Sequence, residues 1–233
     1  MVYAIILSGG VGTRFGNQLP KQFLKINNKT ILEYSIETFE THNLIDKIII
    51  VSNPNFIKKT KEILAKNNYK KVCAIISGGN TRGESSYLGL KQINETENSK
   101  DKIKVLIHDS VRPNTSNKII SEIIKGFDEF KALSPAIKTT DTIYISNNTQ
   151  IIKSIPNRDN IYKAQTPQGF DFNTIFNAYN KLEDSQKFTF PDDCSVLNFA
   201  YPNLEIKIVE GDNKNLKITF PEDLEVFKQL LTQ

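Results

Sequence analysis

The chain has two cysteines in 233 residues, Cys73 and Cys194. They stand far apart, without the paired spacing that builds a zinc site, so neither a disulfide framework nor a cysteine metal centre holds the fold together. Both read as buried bystander thiols in a reducing compartment. Histidine is equally scarce: His42 reads as exposed loop and His108, leading an apolar strand, as structural. No Ser/His/Asp triad is readable. Charge of one sign is also lacking, because 30 Lys and Arg against 26 Asp and Glu leave a formal +4. No basic run is concentrated enough to track a nucleic-acid backbone, although a mild surplus suits small anionic substrates. No stretch approaches the ~20 apolar residues of a membrane-spanning helix, and no basic region precedes the short apolar run at the N-terminus. A cytoplasmic protein is the expectation. Internal repeats, linkers and low-complexity tracts are absent too, which predicts one domain over residues 1–233.

What is present is a rhythm. Hydrophobic content of 39% with 24% charged residues suffices for a full core. Strands are predicted at Tyr3–Leu7, Lys47–Val51, Val72–Ile76 and Lys104–His108. Helical spacing comes after each of them, at Thr30–Thr41, from Pro54 to about Lys66, at Glu84–Ile93 and at Lys118–Phe130. Strand-then-helix order with apolar rather than alternating strands predicts a mostly parallel sheet covered on both faces. Ligands in such sheets sit at the carboxyl ends of the strands. The rhythm breaks between Ala136 and Phe170, where the residues alternate and Ser146-Asn147-Asn148 reads as a turn. This predicts a projecting β-arm at about 137–165. A hairpin with little core of its own is marginal alone, so the arm is expected to pack on a second subunit. The chain then returns to type with a helix near Asn173–Leu182, a strand at Leu204–Glu210 and a terminal helix from Pro221 to Leu231.

Chemistry concentrates where strands end. "LSGGVGTRFGNQLPKQF" (Leu7–Phe23) leaves the first strand through Gly9, Gly10 and Gly12, then displays Arg14 and Lys21. Glycines let backbone approach a ligand closely, and backbone N–H groups there bind anions. The dinucleotide fingerprint fails, since Phe15 stands where glycine is needed, and the Gly-Lys-Ser/Thr of a P-loop is absent. "GGNTRGESS" (Gly78–Ser86) comes after the third strand with Arg82 and Ser85 near the start of a helix. It is either a plain turn or the second wall of one crevice. "HDSVRP" (His108–Pro113) closes the fourth strand. Asp109 there suits a metal ion or a hydroxyl, and Arg112 suits a phosphate or the orientation of Asp109. "NLKITFPEDL" (Asn215–Leu224) sets Lys217 just before a Pro-Glu-Asp helix start.

Taken in order, "LSGGVGTRFG…LPKQF", "GGNTRGESSYLGL", "HDSVRP", "DTI", "AQTPQGF", "DDCSV" and "NLKITFPEDL" resemble the cytidylyltransferase family that includes 2-C-methyl-D-erythritol 4-phosphate and D-ribitol-5-phosphate cytidylyltransferases. The resemblance covers nearly the whole chain. It implies a Rossmann-like nucleotidyltransferase fold, CTP with Mg²⁺, and a homodimer made through the arm. It also implies roles: Arg14 and Lys21 on the triphosphate; Leu7, Ser8, Gly9, Gly10, Gly79, Asn80, Thr81, Arg82, Ser85 and Ser110 around the nucleotide. Asp109 and Arg112 would face the acceptor's polyol and the nucleotide. Thr142, Arg158, Thr166 and Lys217 would hold the acceptor phosphate, Arg158 reaching from the partner's arm. Two positions depart from the methylerythritol pattern: Asn80, where those enzymes often carry Asp, and Ser110, where alanine is common. "SIPNRDNIY" before "QTPQ", and "LPKQF", lean to the ribitol branch, whose product serves cell-surface polymers; the methylerythritol branch, of isoprenoid synthesis, is the alternative.

Overall fold

A computed structural model describes residues 1–10, 19–147, 150–183 and 186–232. Gly12 and Arg14 of the opening turn, and Asn148 of the turn signal, lie outside the described residues. In chain order the elements are β1 (Val2–Ser8), β2 (Lys25–Ile26), β3 (Lys29–Thr30), α1 (Ile31–Thr41), β4 (Lys47–Ser52), α2 (Ile57–Asn67), β5 (Val72–Ser77) and α3 (Arg82–Thr96). They continue through β6 (Lys104–Asp109), α4 (Asn117–Gly126), β7 (Ala132–Lys138), β8 (Ile145–Ser146), β9 (Ile152–Ser154), β10 (Tyr162–Ala164) and β11 (Gln168–Asp171). The last are α5 (Phe172–Lys181), α6 (Asp193–Ala200), β12 (Lys207–Glu210) and α7 (Pro221–Leu230). Among the described residues, no helix is long and apolar enough to cross a membrane.

One sheet organises the chain, in the order β10-β7-β11-β6-β1-β4-β5, with β12 pairing β7. β6, β1, β4 and β5 run parallel, while β11 enters antiparallel to both β6 and β7. Successive side chains of a strand point to opposite faces. Ile5, Leu7, Ile49, Val51, Val105 and Ile107 therefore form one core with α3, α5 and α6. Ala4, Ile6, Ile48, Ile50 and Leu106 form another with α1 and α4. Both faces are buried, which is why the strands read as continuous apolar runs rather than alternating ones. A third, smaller cluster seats α7 through Ile218 and Phe227.

The central elements lie where the sequence places them, to within a few residues at their ends. Caps decide several of those ends. Thr30 caps α1 by accepting from Glu33 N (3.2 Å) while Glu33 Oε2 accepts from Thr30 N (2.7 Å), a reciprocal capping box. Thr81 caps α3, starting it at Arg82 rather than Glu84. Three readings need correction, and one helix is additional. α4 stops at Gly126, not Phe130, and Ala132–Lys138 is a strand of the main sheet. Its Pro135 lacks the N–H a central strand normally uses, which hid it. Asp193–Ala200, to which the sequence reading assigns no element, is a helix capped by Asp192, which accepts from Ser195 N at 2.8 Å. His42 is buried, its ring at 3.3 Å from Asn117 O and 3.1 Å from Ser121 Oγ. Cys73 is exposed, because β5 is the edge of the sheet.

The segment between β7 and β11 leaves the sheet at Thr139 and returns through β10, which pairs with β7. Its outer part is the two-stranded β8-β9 ribbon.

Close approach of α3 to the sheet depends on Gly89. A Cβ at that position would meet Ile5 Cγ2 at 2.7 Å and Val51 Cγ2 at 3.3 Å, inside a core where interdigitated side chains leave few voids. Gly89→Val is therefore expected to destabilise the protein by about 1–3 kcal/mol through overpacking. A denaturant midpoint equal to wild type would refute this.

Candidate active site

β1 leads to β4 and β5 on one side, after which the chain crosses back to β6 on the other. The switch point of the sheet thus falls between β1 and β6, where Leu7 pairs with Asp109. The four parallel strands end nearly level, since Ser8 pairs with Ser52 and Ser52 with Ser77. The loops leaving those strand ends consequently meet one another over a cleft of ≈ 790 Å³, within the range of small-molecule sites. Gly9 and Gly10 extend from β1, Asn53 to Asn55 from β4, Gly78 to Thr81 from β5, and Ser110 with Val111 from β6.

The loops are fixed by polar side chains that sequence reading passed over. Gln22 is buried and donates through Nε2 to Ser8 O and Gly10 O, both at 2.9 Å. Asn53 Nδ2 donates to Gly9 O at 3.0 Å. The carbonyls of Ser8, Gly9 and Gly10 are thereby all held by side chains. Gln22 belongs to "LPKQF", but nothing in its spacing marks it. Ser85 ties the second loop by accepting from Gly79 N (3.1 Å) and donating to Thr81 O (2.9 Å). Asn80 is exposed, and its N–H donates to Glu84 Oε2 at 2.6 Å. Gly78 has no room for a side chain, since a Cβ would lie 2.9 Å from Ser85 Oγ. Ser110 is held by its carbonyl, which accepts from Ser35 Oγ at 2.6 Å.

Charge enters from three directions. Lys21 Nζ donates to Ile218 O (3.1 Å) and Thr219 O (3.4 Å), linking the first loop to the strand-like segment before α7. Ile218 is buried and donates to Val111 O at 2.8 Å, so Lys217 and Thr219 on either side are presented to the cleft. Asp109 joins the other two cations. Its Oδ1 accepts from Arg82 Nε at 2.9 Å and its Oδ2 from Lys217 Nζ at 2.7 Å. Burial pushes the Asp109 carboxyl up, but Arg82 and Lys217 outweigh burial and hold it far below the usual carboxylate range. Burial likewise works against the charge on Arg82, and Asp193 and Asp109 override it. Asp109 is the one carboxylate among the described residues lining this cleft. Both of its oxygens are taken by cations, and no group of three metal-ligating side chains occurs among the described residues. The donor set does not fit a divalent ion caged by the protein.

Not every expected residue lines the cleft. Leu7, Gly9, Gly10, Lys21, Gly79, Asn80, Thr81, Arg82, Ser85, Asp109, Ser110 and Lys217 do. Ser8 is buried beneath it. Arg112 donates to Asn215 O (2.8 Å) and Ala164 O (3.3 Å), tying the Lys217 segment and the root of the arm to β6. Burial lowers its pKa. Thr166 is buried behind Asp109, and its Oγ1 accepts from Asp109 N at 3.1 Å. Thr142 and Arg158 are exposed on the arm, Arg158 donating to Thr140 O at 3.3 Å.

Mostly parallel strands, a glycine-lined crevice at the switch point and converging cations define an α/β nucleotidyltransferase fold. Comparison with known proteins agrees. The family model described as 2-C-methyl-D-erythritol 4-phosphate cytidylyltransferase (IspD) matches residues 2–233, and the chain belongs to that family of cytidylyltransferases. It is 39% identical over 227 residues to the bifunctional ribulose 5-phosphate reductase/CDP-ribitol pyrophosphorylase Bcs1 of Haemophilus influenzae, covering 97% of this chain and 47% of that protein. The chain thus spans about half the length of that relative. Among solved structures, 4-diphosphocytidyl-2C-methyl-D-erythritol synthase from Anaerococcus prevotii superposes with a TM-score of 0.84 at 30% identity, covering 100% of this chain and 98% of that one. The 2-C-methyl-D-erythritol 4-phosphate cytidylyltransferase of Francisella tularensis gives 0.80 at 28%, covering 98% of each chain.

His108 supports the floor of the site. Carbonyls only accept, so its Nε2 carries the proton donated to Arg112 O at 3.1 Å. In the neutral ring Nδ1 then accepts from the Thr166 hydroxyl at 3.1 Å. Burial pushes its pKa from 6.5 down to about 3. The unfolded chain therefore binds a proton that the folded one refuses between those values. Stability is expected to fall as pH drops through that window, by up to about 1.4 kcal/mol per pH unit from this group. With only two histidines in the chain, proton NMR checks the cause directly: one ring should stay neutral from pH 8 to 5. Two ordinary titrations near 6.5 would overturn the assignment.

Proposed function

We propose that the chain transfers a cytidylyl group from CTP to D-ribitol 5-phosphate, giving CDP-ribitol and pyrophosphate, with 2-C-methyl-D-erythritol 4-phosphate as the second candidate acceptor. The observation that carries the reaction class is the single cleft in which two glycine loops face Lys21, Arg82 and Lys217. The ribitol reading is supported by 39% identity to a CDP-ribitol pyrophosphorylase, against 30% and 28% to the methylerythritol enzymes. It also agrees with Asn80 and the "SIPNRDNIY" segment.

The chemistry asks little of general bases. An acceptor phosphate with a second pKa near ~6 is mostly dianionic at neutral pH. One of its oxygens attacks the α-phosphorus of CTP, a new P–O bond forms, and the bond to the β-phosphate breaks with pyrophosphate leaving. The barrier comes from two anions meeting and from charge growing at phosphorus. We assign Lys21 and Arg14 to that charge and Lys217 to the acceptor, with Thr166 fixing Asp109 from behind; the loop N–H groups of Gly9 and Gly10, beside Gly79 on the cleft wall, take the nucleotide. Arg82, Ser85 and Ser110 frame the ribose and base, and Asp109 faces the polyol. A divalent cation, Mg²⁺ in our reading, would come with the triphosphate; it supplies further neutralisation of charge.

The arm fits a shared site. Tyr144, Ile145, Ile151, Ile152 and Ile155 are 50–65% exposed on a ribbon too small to bury them itself, and an isolated hairpin of this size is marginal. We propose a homodimer in which this arm covers its partner and carries Arg158 and Thr142 to the partner's acceptor site.

Two experiments decide. The first incubates the protein with CTP and ribitol, methylerythritol or glycerol phosphate and reads product mass. CDP-ribitol should dominate, and exclusive turnover of methylerythritol phosphate would reverse the acceptor. The second begins with Lys21→Ala, which should fold yet lose about 10²–10³ in turnover, ~3–4 kcal/mol. Mixed with Arg158→Ala subunits under confirmed exchange, it should regain activity, since each mixed dimer then holds one intact site. Absence of rescue would exclude a site shared between subunits.

A further inference from the structure

The sheet carries a second charged group below the cleft, which the reaction does not use directly. Asp193, at the start of α6, is fully buried. Its Oδ1 accepts from Tyr179 Oη and its Oδ2 from Arg82 Nη1, both at 2.7 Å. Its N–H donates to Gln168 Oε1 at 3.2 Å, and Gln168 in turn donates to Asp192 Oδ2 at 2.7 Å. Three rigid elements, β11, α5 and α6, therefore fix one carboxylate. Arg82 stands between that carboxylate and Asp109, so four groups alternate in sign from core to cleft: Asp193, Arg82, Asp109, Lys217. Arg82 is the first residue of α3, just after its cap, and without Asp193 its guanidinium would be held by Asp109 alone, through Nε.

We propose that Asp193, held by Tyr179, is a positioning residue that aims Arg82 Nε at Asp109 and through it sets the place of Lys217. A planar guanidinium offers donors in a fixed fork. Anchoring Nη1 at Asp193 leaves Nε on Asp109, while Nη2 is buried without a hydrogen-bond partner among the described residues. The distance between Asp193 and the cleft is spanned by a single side chain, so a loosened anchor becomes a misplaced cation where phosphate and polyol must meet. The "DDCSV" motif then has a role beyond capping α6. Asp192 supplies the cap, and Asp193 supplies the anchor.

This inference rests on the cytidylyltransferase reading, and its test separates the two. Asp193→Asn keeps the shape and removes the charge. Per folded molecule, kcat/KM for CTP and the accepted polyol phosphate is expected to fall roughly ten- to hundredfold. A merely structural Asp193 would lower the folded fraction and leave both KM values and kcat per folded molecule at wild type, which overturns the proposal. Because Asp193 acts through Arg82, the double variant Arg82→Gln/Asp193→Asn should be no slower than Arg82→Gln alone. Losses that multiply would also overturn it. Should Asp193→Asn not fold, Tyr179→Phe is read instead, with a smaller loss in the same direction expected and wild-type kinetics refuting. If wild type turns over none of the polyol phosphates, the reading of the reaction fails. The inference is then decided by a crystal structure of the variant that folds: Arg82 displaced from Asp109 supports it, and Arg82 unmoved sinks it.

Discussion

Everything in this molecule depends on the in-register parallel pairing of β1 with β4 and β6. That pairing buries Ile5 and Leu7 on one face and Ala4 and Ile6 on the other, so one strand serves both cores. It also brings Ser8, Ser52 and Asp109 to the same edge. A parallel sheet whose strands end together must leave its connecting loops at that edge, and the reversal of strand order between β1 and β6 opens them into a crevice. The core and the site are thus one construction, built from alternate residues of the same strands.

The site also has to keep cations close together ahead of substrate. Lys21, Arg82 and Lys217 line one cleft, and like charges held together are costly unless opposed. Asp109 opposes two of them and Asp193 opposes one from below, while Lys21 rests on carbonyl oxygens of the α7 entry. An entering phosphate competes with carboxylates that are already bonded, so the cations are positioned before substrate arrives and need little rearrangement to receive it. Arg112, His108, Thr166 and Asn215 form the matching scaffold beneath, and their bonds tie β6, the arm root and the Lys217 segment together.

The arm stands apart from both. Its root is woven into the sheet by β10 and by the Gln165 and Asn215 bonds, but its tip turns apolar side chains outward. A root tied to Thr166 and Asp109 and a tip seeking cover place the segment between site and surface. Geometry of the chain alone leaves Arg158 and Thr142 away from its own cleft.

The strand-helix alternation, the parallel sheet and the two glycine loops were legible in the sequence because each rests on local periodicity and on residues adjacent in the chain. Asp109 and Arg82 were legible as candidates because charged residues at or soon after the ends of apolar strands stand out, and Lys21 because it comes after the glycines of the first loop. Other features needed three dimensions. Pro135 concealed a central strand, since only the partners on either side reveal that its missing N–H is tolerated. Gln22 and Asn53 gained a role from carbonyls that the fold carries to them, and His42 from a helix 75 residues away. The bond between Asp193 and Arg82 spans 111 residues. No spacing rule reaches that far, because the distance between those side chains is set by how α3, α5 and α6 pack on one face of the sheet and not by the chain that joins them.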